Sequence, residues 1–438
     1  MITGVASDTS LDEAAIVRRI RWRIIPFVFL LYIVAFLDRI NIGFAALTMN
    51  KELAITSEQF GLVVGIFFIG YFLFEIPSNL ILHRIGARVW IARILVTWGV
   101  VAIATGFARS VSQLYIARFL LGLAEAGFFP GIVLYLTYWF RQREQARAIA
   151  LFMTAQPVTS ILGAPISGVI LDHVHWLGAS SWRWLLIIEG LPAIVLGVAA
   201  YFLMPSRPAD ASFLAEGEKR WLEATIAREA EEKARQYPSS ATKALRSSRV
   251  WMIACIGFAQ AIGAYTLNFW LPQEVKSFST HYTNTTIGLL VMIPYAAALI
   301  AMLVVSGSSD RRTERRFHAA IPLAIGGISF LSLGAMHSPV IAIVLLSGAA
   351  VGVYSFFGPF FASPSDFLTG FAAASGIALI TSVANLGGFV GPYAVGLISR
   401  RTGNLHGGLA FAGVSLLVSA TLFLLLPRKP RGAESGAA

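Results

Sequence analysis

The chain has a single cysteine, Cys255. That excludes an intramolecular disulfide and any cysteine-based metal cluster, and leaves packing as the role expected of the thiol. Charge is scarce as well: Asp, Glu, Lys and Arg supply 13% of the residues, about half the usual share of a soluble domain. Histidine is sparse, and His83, His173, His175, His281, His318, His337 and His406 all fall in or near the breaks between apolar runs. No metal site and no cofactor is expected from such a set, and no convergent nucleophile suggests an enzyme. What is abundant is apolar surface, with 56% hydrophobic residues and a mean hydropathy of +0.71. A chain of 438 residues cannot bury that much away from water, so an all-α integral membrane protein is expected.

Apolar runs of about 20 residues, the length that crosses a bilayer, recur twelve times. They lie near 24–47, 58–82, 89–107, 111–138, 146–171, 184–204, 249–272, 286–305, 318–336, 339–361, 370–398 and 405–427. A short turn near His337 separates the ninth run from the tenth. Residues 1–14 read as a polar tail, and a cleaved leader is disfavoured because a charged pair stands where small cleavage-site residues belong.

The net charge of +11 would suggest nucleic acid in a soluble protein, but its placement follows the membrane. Lys51, Arg109, Arg183, Lys276, Arg400 and Arg401 fall on one side, and Arg39 and Arg118 lie within spans. All other Lys and Arg gather on the opposite side, including nine between Arg207 and Arg249. Under the positive-inside rule that side is the cytoplasm, which places both termini there, in a bacterial-type inner membrane.

One long polar interruption, about Pro205 to Ser248, separates six spans from six. It divides the chain into an N-terminal bundle over 1–204, a cytoplasmic linker over 205–248 and a C-terminal bundle over 249–438. Within the linker, Phe213, Leu214, Trp221, Leu222 and Ile226 recur at helical spacing and Glu216 stands four before Arg220, so an amphipathic helix is expected on the inner membrane face. The halves echo each other. GLAEAGFFPG (Gly122–Gly131) parallels VGVYSFFGP (Val351–Pro359), GAPISG (Gly163–Gly168) parallels GGFVGPYAVG (Gly387–Gly396), and LHRIGAR parallels SDRRTERR. Three matches in one order indicate an internal duplication, hence twelve helices in two pseudo-symmetric six-helix bundles. Gly387 and Gly391 read as helix-packing positions.

The costly feature is the pair Asp38–Arg39 in LDRINIGFA. A charged residue at the centre of a membrane helix costs about 2.5–3.5 kcal/mol, so such residues imply function by default; the alternative is that the pair marks a helix end near headgroups. Arg118 and Glu125, seven apart in span four, share a face but stand about 10 Å apart along the axis. Adjacent residues diverge by about 100°, so Asp38 and Arg39 each need a partner on another helix. The economical arrangement sets spans one and four around a wet cavity holding two carboxylates and two guanidiniums. Such a tetrad could be purely structural, yet buried ion pairs stabilise poorly. Arginine moreover grips carboxylates through paired hydrogen bonds. Aligning the two Phe-Phe pairs sets Val353 opposite Glu125, so the charges belong to the first half. The second half offers Gln260, Tyr265, Asn268, Trp270 and Asn385. Glu75, near Pro77 and Asn79, is expected to pair with loop arginines, and Glu189 has no evident partner.

LDRINIGFAALTMNK, GYFLFEIPSNLILHRIGAR, RFLLGLAEAGFFPG and FWLPQ resemble the major facilitator superfamily, and within it the anion:cation symporter family of tartrate, phthalate and galactonate permeases. The resemblance runs from Arg21 to Pro427. It implies two bundles rocking around a central cavity in alternating access. It also implies that Arg39 binds the substrate carboxylate, that Asp38 and Glu125 carry the coupled protons with Arg118 linking them, and that Tyr71, Gln156 and Asn385 contact substrate. The gating loops would use Arg84, Arg88, Asp310 and Arg311. His83 stands where the superfamily's first loop motif has aspartate, and a cytoplasmic pH-sensing role is conceivable for it. The expectation is a monomeric secondary transporter in the lipid bilayer, importing a small organic anion with protons and binding no nucleic acid. An anion or drug exporter of the same fold is the alternative, and a membrane receptor or sensor the remote one.

Overall fold

The structure, a computed structural model, describes residues 12–236, 246–336, 338–363 and 370–426. These residues are helical almost throughout, as a bilayer demands, because a helix satisfies its backbone polar groups within one segment. Twelve helices among them are long and apolar enough to span a membrane. Spans one to six are Glu13–Glu52, Ser57–Leu82, Ala87–Thr105, Val111–Thr137, Gln142–His173 and Ser181–Leu203. Spans seven to twelve are Ser248–Ser277, Asn284–Arg312, Arg316–Ala335, Pro339–Ala362, Leu379–Thr402 and His406–Leu425. The turn expected at His337 falls outside the described residues, but its flanks agree: span nine closes on the turn Leu333–Ala335 and Pro339 opens span ten.

Span one corrects the reading of a polar tail over 1–14. Asp12 accepts a hydrogen bond from the Ala15 amide at 3.0 Å and starts the helix at Glu13. A helix of 40 residues is about 60 Å long, twice the hydrocarbon thickness, so its polar first turns stand clear of the lipid. There Glu13 pairs with Arg141 at 2.7 Å and Arg19 with Glu218 at 2.9 Å. Glu218 belongs to the linker helix Glu216–Gln236. This is the amphipathic helix expected from the sequence, but its apolar side meets protein rather than lipid. Leu214 and Leu222 are buried, Phe213 stacks on Trp139, and Arg141 lies over the Trp221 ring. The Glu216 carboxylate pairs with Lys219 at 2.7 Å, while Arg220 Nε donates to the Glu216 backbone carbonyl at 3.4 Å, because a turn of 3.6 residues brings the third neighbour as close as the fourth. Cys255 is exposed on the surface of span seven rather than packed.

The duplication has a structural counterpart in the middle of each half. Span four breaks after Glu125 at Ala126 and Gly127, the latter with φ +86°, and resumes at Phe128. Span ten only kinks, at Phe356, which keeps right-handed helical angles (φ −62°, ψ −34°). A side chain at Gly127 would overlap Ser78, whose hydroxyl donates to the freed Ala126 carbonyl at 2.6 Å while accepting from Trp90 Nε1 at 2.9 Å. The exposed backbone of the break is thus paid in kind by spans two and three.

The two sets of six spans meet most tightly towards the end carrying Glu52. There Gly61 and Gly396 bring the backbones of spans two and eleven together, and Gly168 and Gly288 do the same for spans five and eight. Gly168 and Gly396 are the last residues of the two echoed motifs. Polar contacts reinforce that end. Asp172 accepts from the Asn284 amide at 3.1 Å, the Asn284 side chain at 2.8 Å and the Thr285 amide at 2.7 Å, and Arg400 pairs with Glu58.

Candidate central binding site

Between the halves lies a cavity lined from the first half by Tyr32, Arg39, Tyr71, Phe129, Met153 and Gln156. The second half faces it with Gln260, Tyr265 and Asn268 of span seven, Tyr354 and four phenylalanines of span ten, and Asn385 of span eleven. About 100 Å³ of it is open to solvent-sized groups, several times what a single water needs. Arg39 is the one charged residue among its described lining residues.

Helix geometry explains how these groups converge. Tyr32 and Arg39 are seven apart on span one, and Gly257, Gln260, Ala261, Ala264, Tyr265 and Asn268 follow the three-four spacing of one helical face. Gly122 seats span four directly on the Phe67 carbonyl of span two, and Gly70 seats span two on the Phe119 carbonyl. That close approach carries Glu125 to Arg39. The two form a buried ion pair, with Glu125 1% and Arg39 8% exposed. The Arg39 guanidinium also lies 5.3 Å from the Phe67 ring centroid and 5.6 Å from that of Tyr71, in cation–π range.

The remaining expected members take distinct places. Arg118, 1% exposed, lies 5.2 Å from the Phe67 ring, so a single phenyl ring receives both guanidiniums. Its Nε and Nη2 have no hydrogen-bond partner among the described residues, and it faces Asp38 and Glu125 through charge alone. Asp38, 1% exposed, accepts from Asn41 Nδ2 at 3.3 Å. The structure thus brings all four charges of spans one and four together, with Arg39–Glu125 as the direct pair. Gln156 donates to the Tyr32 hydroxyl at 2.5 Å, and Tyr32 stacks on Phe152 at 4.3 Å. Asn268 accepts from Tyr295 at 2.8 Å and Tyr354 at 3.0 Å, and Gln260 donates to the Val353 carbonyl at 3.0 Å. The position opposite Glu125 therefore contributes a backbone carbonyl and no charge. Trp270 is fully buried against Phe60, away from the cavity.

Two carboxylates correct the sequence reading. Glu75 does not pair with loop arginines: it is 6% exposed and accepts from Ser382 of span eleven at 3.2 Å, across the halves, with Asn385 against it. The reason is its position one turn beyond Tyr71, on the face that looks at the cavity. Glu189 does have a partner, the Ser167 hydroxyl at 2.7 Å. Sequence reasoning also missed Tyr32 and the aromatic wall of span ten; their spacing from Arg39 and from each other was the available signal.

The expected gating residues lie elsewhere. Arg84 is exposed at the end of span two, Arg88 lies over Tyr201 at 5.6 Å, and Asp310 pairs with Arg315 rather than Arg311, which is exposed. The His83 side chain is outside those described. Next to Arg315, Glu314 caps span nine, accepting from the Phe317 amide at 2.9 Å and from His318 Nδ1 at 2.6 Å.

Comparison with known proteins agrees with this fold. The family model described as Major Facilitator Superfamily matches residues 28–392. A protein of Agrobacterium vitis named "Putative tartrate transporter" is 45% identical over 97% of this chain and 94% of its own. The "Putative metabolite transport protein NicT" of Pseudomonas putida is 41% identical over 98% of both chains. A "Quinolone resistance transporter" of Acinetobacter baumannii is 36% identical over 95% of this chain and 96% of its own. Among solved structures, an inward-facing, occupied bacterial homolog of the human lysosomal transporter Spinster superposes with a TM-score of 0.74, at 16% identity over 93% of this chain and 96% of that one. A partially occluded, inward-open form of the xylose transporter XylE from E. coli gives 0.72, at 15% identity over 94% and 99%. The twelve spans, the family match and these relatives have one conclusion: the chain is a multi-pass membrane transporter, not an enzyme, and belongs to the major facilitator superfamily.

Proposed function

We propose that the protein imports a small organic anion together with protons, across a bacterial-type inner membrane with both termini in the cytoplasm. The observation that carries this reading is the cavity's single charged lining residue, Arg39, which is pre-oriented by two aromatic rings and held by a carboxylate. A cavity of that kind favours an anion and disfavours a cation. Tyr71, Gln156 and Asn385 supply hydrogen bonds around it. The neighbouring phenylalanines suit an aromatic or otherwise partly apolar acid, while hydroxy and sugar acids find the amides and tyrosines.

In this scheme the substrate carboxylate competes with Glu125 for Arg39. Protons arriving from outside neutralise Asp38 and Glu125, which frees Arg39 for substrate. The halves 1–204 and 249–438 then rock about the site, and release of the protons inside restores the internal pair and expels the cargo. Closure at the Glu52 end supports the assignment of this conformation as inward-facing.

The test is uptake of a panel of organic acids into proteoliposomes under an imposed inward proton gradient, with Arg39→Ala as control. Gradient-driven accumulation that Arg39→Ala abolishes supports the reading. An Arg39→Ala protein with normal affinity would place the anchor elsewhere. Export is the second reading, favoured by the aromatic wall and by the relative named for quinolone resistance. It predicts that expression in a sensitive host raises resistance without conferring uptake.

A further inference from the structure

Apart from the cavity, a buried carboxylate stands beside Asp38 that the scheme above leaves unused. Glu189 is 2% exposed and is not among the cavity's lining residues. Ser167 of span five donates to its Oε1, while its Oε2 has no hydrogen-bond partner among the described residues. Asn41 of span one lies against it and donates its amide to Asp38 Oδ1. Asn41 Oδ1 and Asp38 Oδ2 are unpartnered too, on residues 0% and 1% exposed. Three acceptor oxygens, two of them on carboxyl groups, therefore share one closed region, in which Trp98 Nε1 of span three and Arg118 stand against Asp38 while only Ser167 and Asn41 stand against Glu189. An unpaired buried acceptor is unfavourable, and two neighbouring carboxylates in such a place do not both stay ionised. One proton on Glu189, the carboxyl with no cation against it, supplies a donor there and removes the repulsion.

The charged and donor groups around the pair stand on the Asp38 side, with Trp98 of span three among them. Span five offers the neutral Ser167, and span three meets span six with Ala102 and Ile103 at Gly190. Arg118 and Glu125 of span four act on Asp38. Position along the membrane then gives the pair a direction. Glu189 lies eight residues into span six from Ser181, about 12 Å at the helical rise, whereas Asp38 lies fourteen residues from Glu52, about 21 Å. Glu189 thus stands between the closed end and Asp38.

We propose that Glu189 is a third proton-carrying carboxyl, which receives protons from the outer face and passes them to Asp38, with Asn41 holding the two groups in register. In the transfer the O–H bond at Glu189 breaks and one forms at Asp38 Oδ2. The pair keeps one proton and a net charge of minus one throughout. The inference rests on the proton-coupled reading above, and its test separates the two.

Glu189→Gln keeps the volume and the acceptor for Ser167 but cannot ionise. In proteoliposomes it is expected to reduce proton-driven accumulation at least ten-fold while leaving substrate counterflow within two-fold of wild type, with Glu189→Asp restoring part of the accumulation. A Glu189→Gln protein that accumulates like wild type overturns the proposal, as does wild-type accumulation driven by a sodium gradient alone. A second measurement needs no substrate: infrared titration of the purified protein. A protonated-carboxyl band that vanishes as pH rises and is missing from Glu189→Gln supports the assignment. A band that persists at every pH, or survives in the variant, overturns it. Should wild type show no proton-driven uptake of any acid, the import reading fails, and the infrared result still decides whether Glu189 exchanges a proton.

Discussion

Glu125→Gln is the most discriminating substitution, because Glu125 holds the group proposed to hold the substrate. The ion pair between Glu125 and Arg39 must open before a substrate carboxylate can take both guanidinium donors. A hydrogen bond to a charged group contributes about 1.5–3 kcal/mol, and glutamine keeps the shape but gives up the charge. Removing that competition is expected to tighten binding of the anion by roughly ten- to a hundred-fold, since about 1.4 kcal/mol is a factor of ten. The same substitution removes a proton site, so accumulation under a proton gradient should fall to the level of facilitated equilibration. Isothermal titration or scintillation proximity binding measures the first effect and proteoliposome uptake the second. Binding that weakens or stays unchanged would show that Glu125 does not compete for Arg39. Full accumulation by the variant would show that it is not a coupling site.

Other perturbations test the scaffold. Gly122→Val drives a side chain into the Phe67 carbonyl and should destabilise the span two–span four contact by about 1–3 kcal/mol, read as a lower melting temperature in detergent and loss of transport. Asp172→Ala removes three hydrogen bonds to the start of span eight and should shift the population at least ten-fold towards opening at that end. In a Cys255→Ser background, faster labelling of Tyr393→Cys by an impermeant maleimide reports it, and an unchanged rate counts against a latch. At Glu314, burial raises the carboxyl's pKa, but the Phe317 amide and His318 outweigh it and leave the group below its ordinary value of 4.5. Its cap on span nine is therefore fully present above the ordinary value and is lost as pH falls through the lowered one. Protection factors of the Phe317 and His318 amides, which remove the slowing of intrinsic exchange in acid, should fall as pH drops through the lowered value, and Glu314→Gln should flatten that fall.

Much of the architecture was legible because a bilayer imposes one length and one composition on every span. The twelve runs follow from that constraint, and the linker helix from its own amphipathic spacing. The tetrad of spans one and four was legible for the same reason, since ionised groups stand out against an apolar background. Side-chain partners were less so. Glu75 looked like a loop contact because sequence distance from Arg84 is short, whereas its helical phase turns it towards Ser382. Leu214 and Leu222 read as lipid-facing because amphipathicity records that a face is covered and not what covers it. Tyr32 and the aromatic wall of span ten were hidden among residues of the same apolar class, where only the neighbouring helix distinguishes a lining group from a packing one.

The seam where Gly61, Gly168, Gly288 and Gly396 meet their opposite strands of backbone has a kinetic consequence. Interfaces built from long side chains interlock, and parting them forces many rotamers to change together. Here main chain lies directly on main chain at four points, while Phe60 against Trp270 and Phe68 against Tyr265 and Phe269 are the aromatic side chains that parting the halves would have to move. If the halves rock as proposed, that end opens by giving up a few discrete contacts, Asp172 with span eight, Glu58 with Arg400 and these ring pairs, and not a continuous interlocked surface.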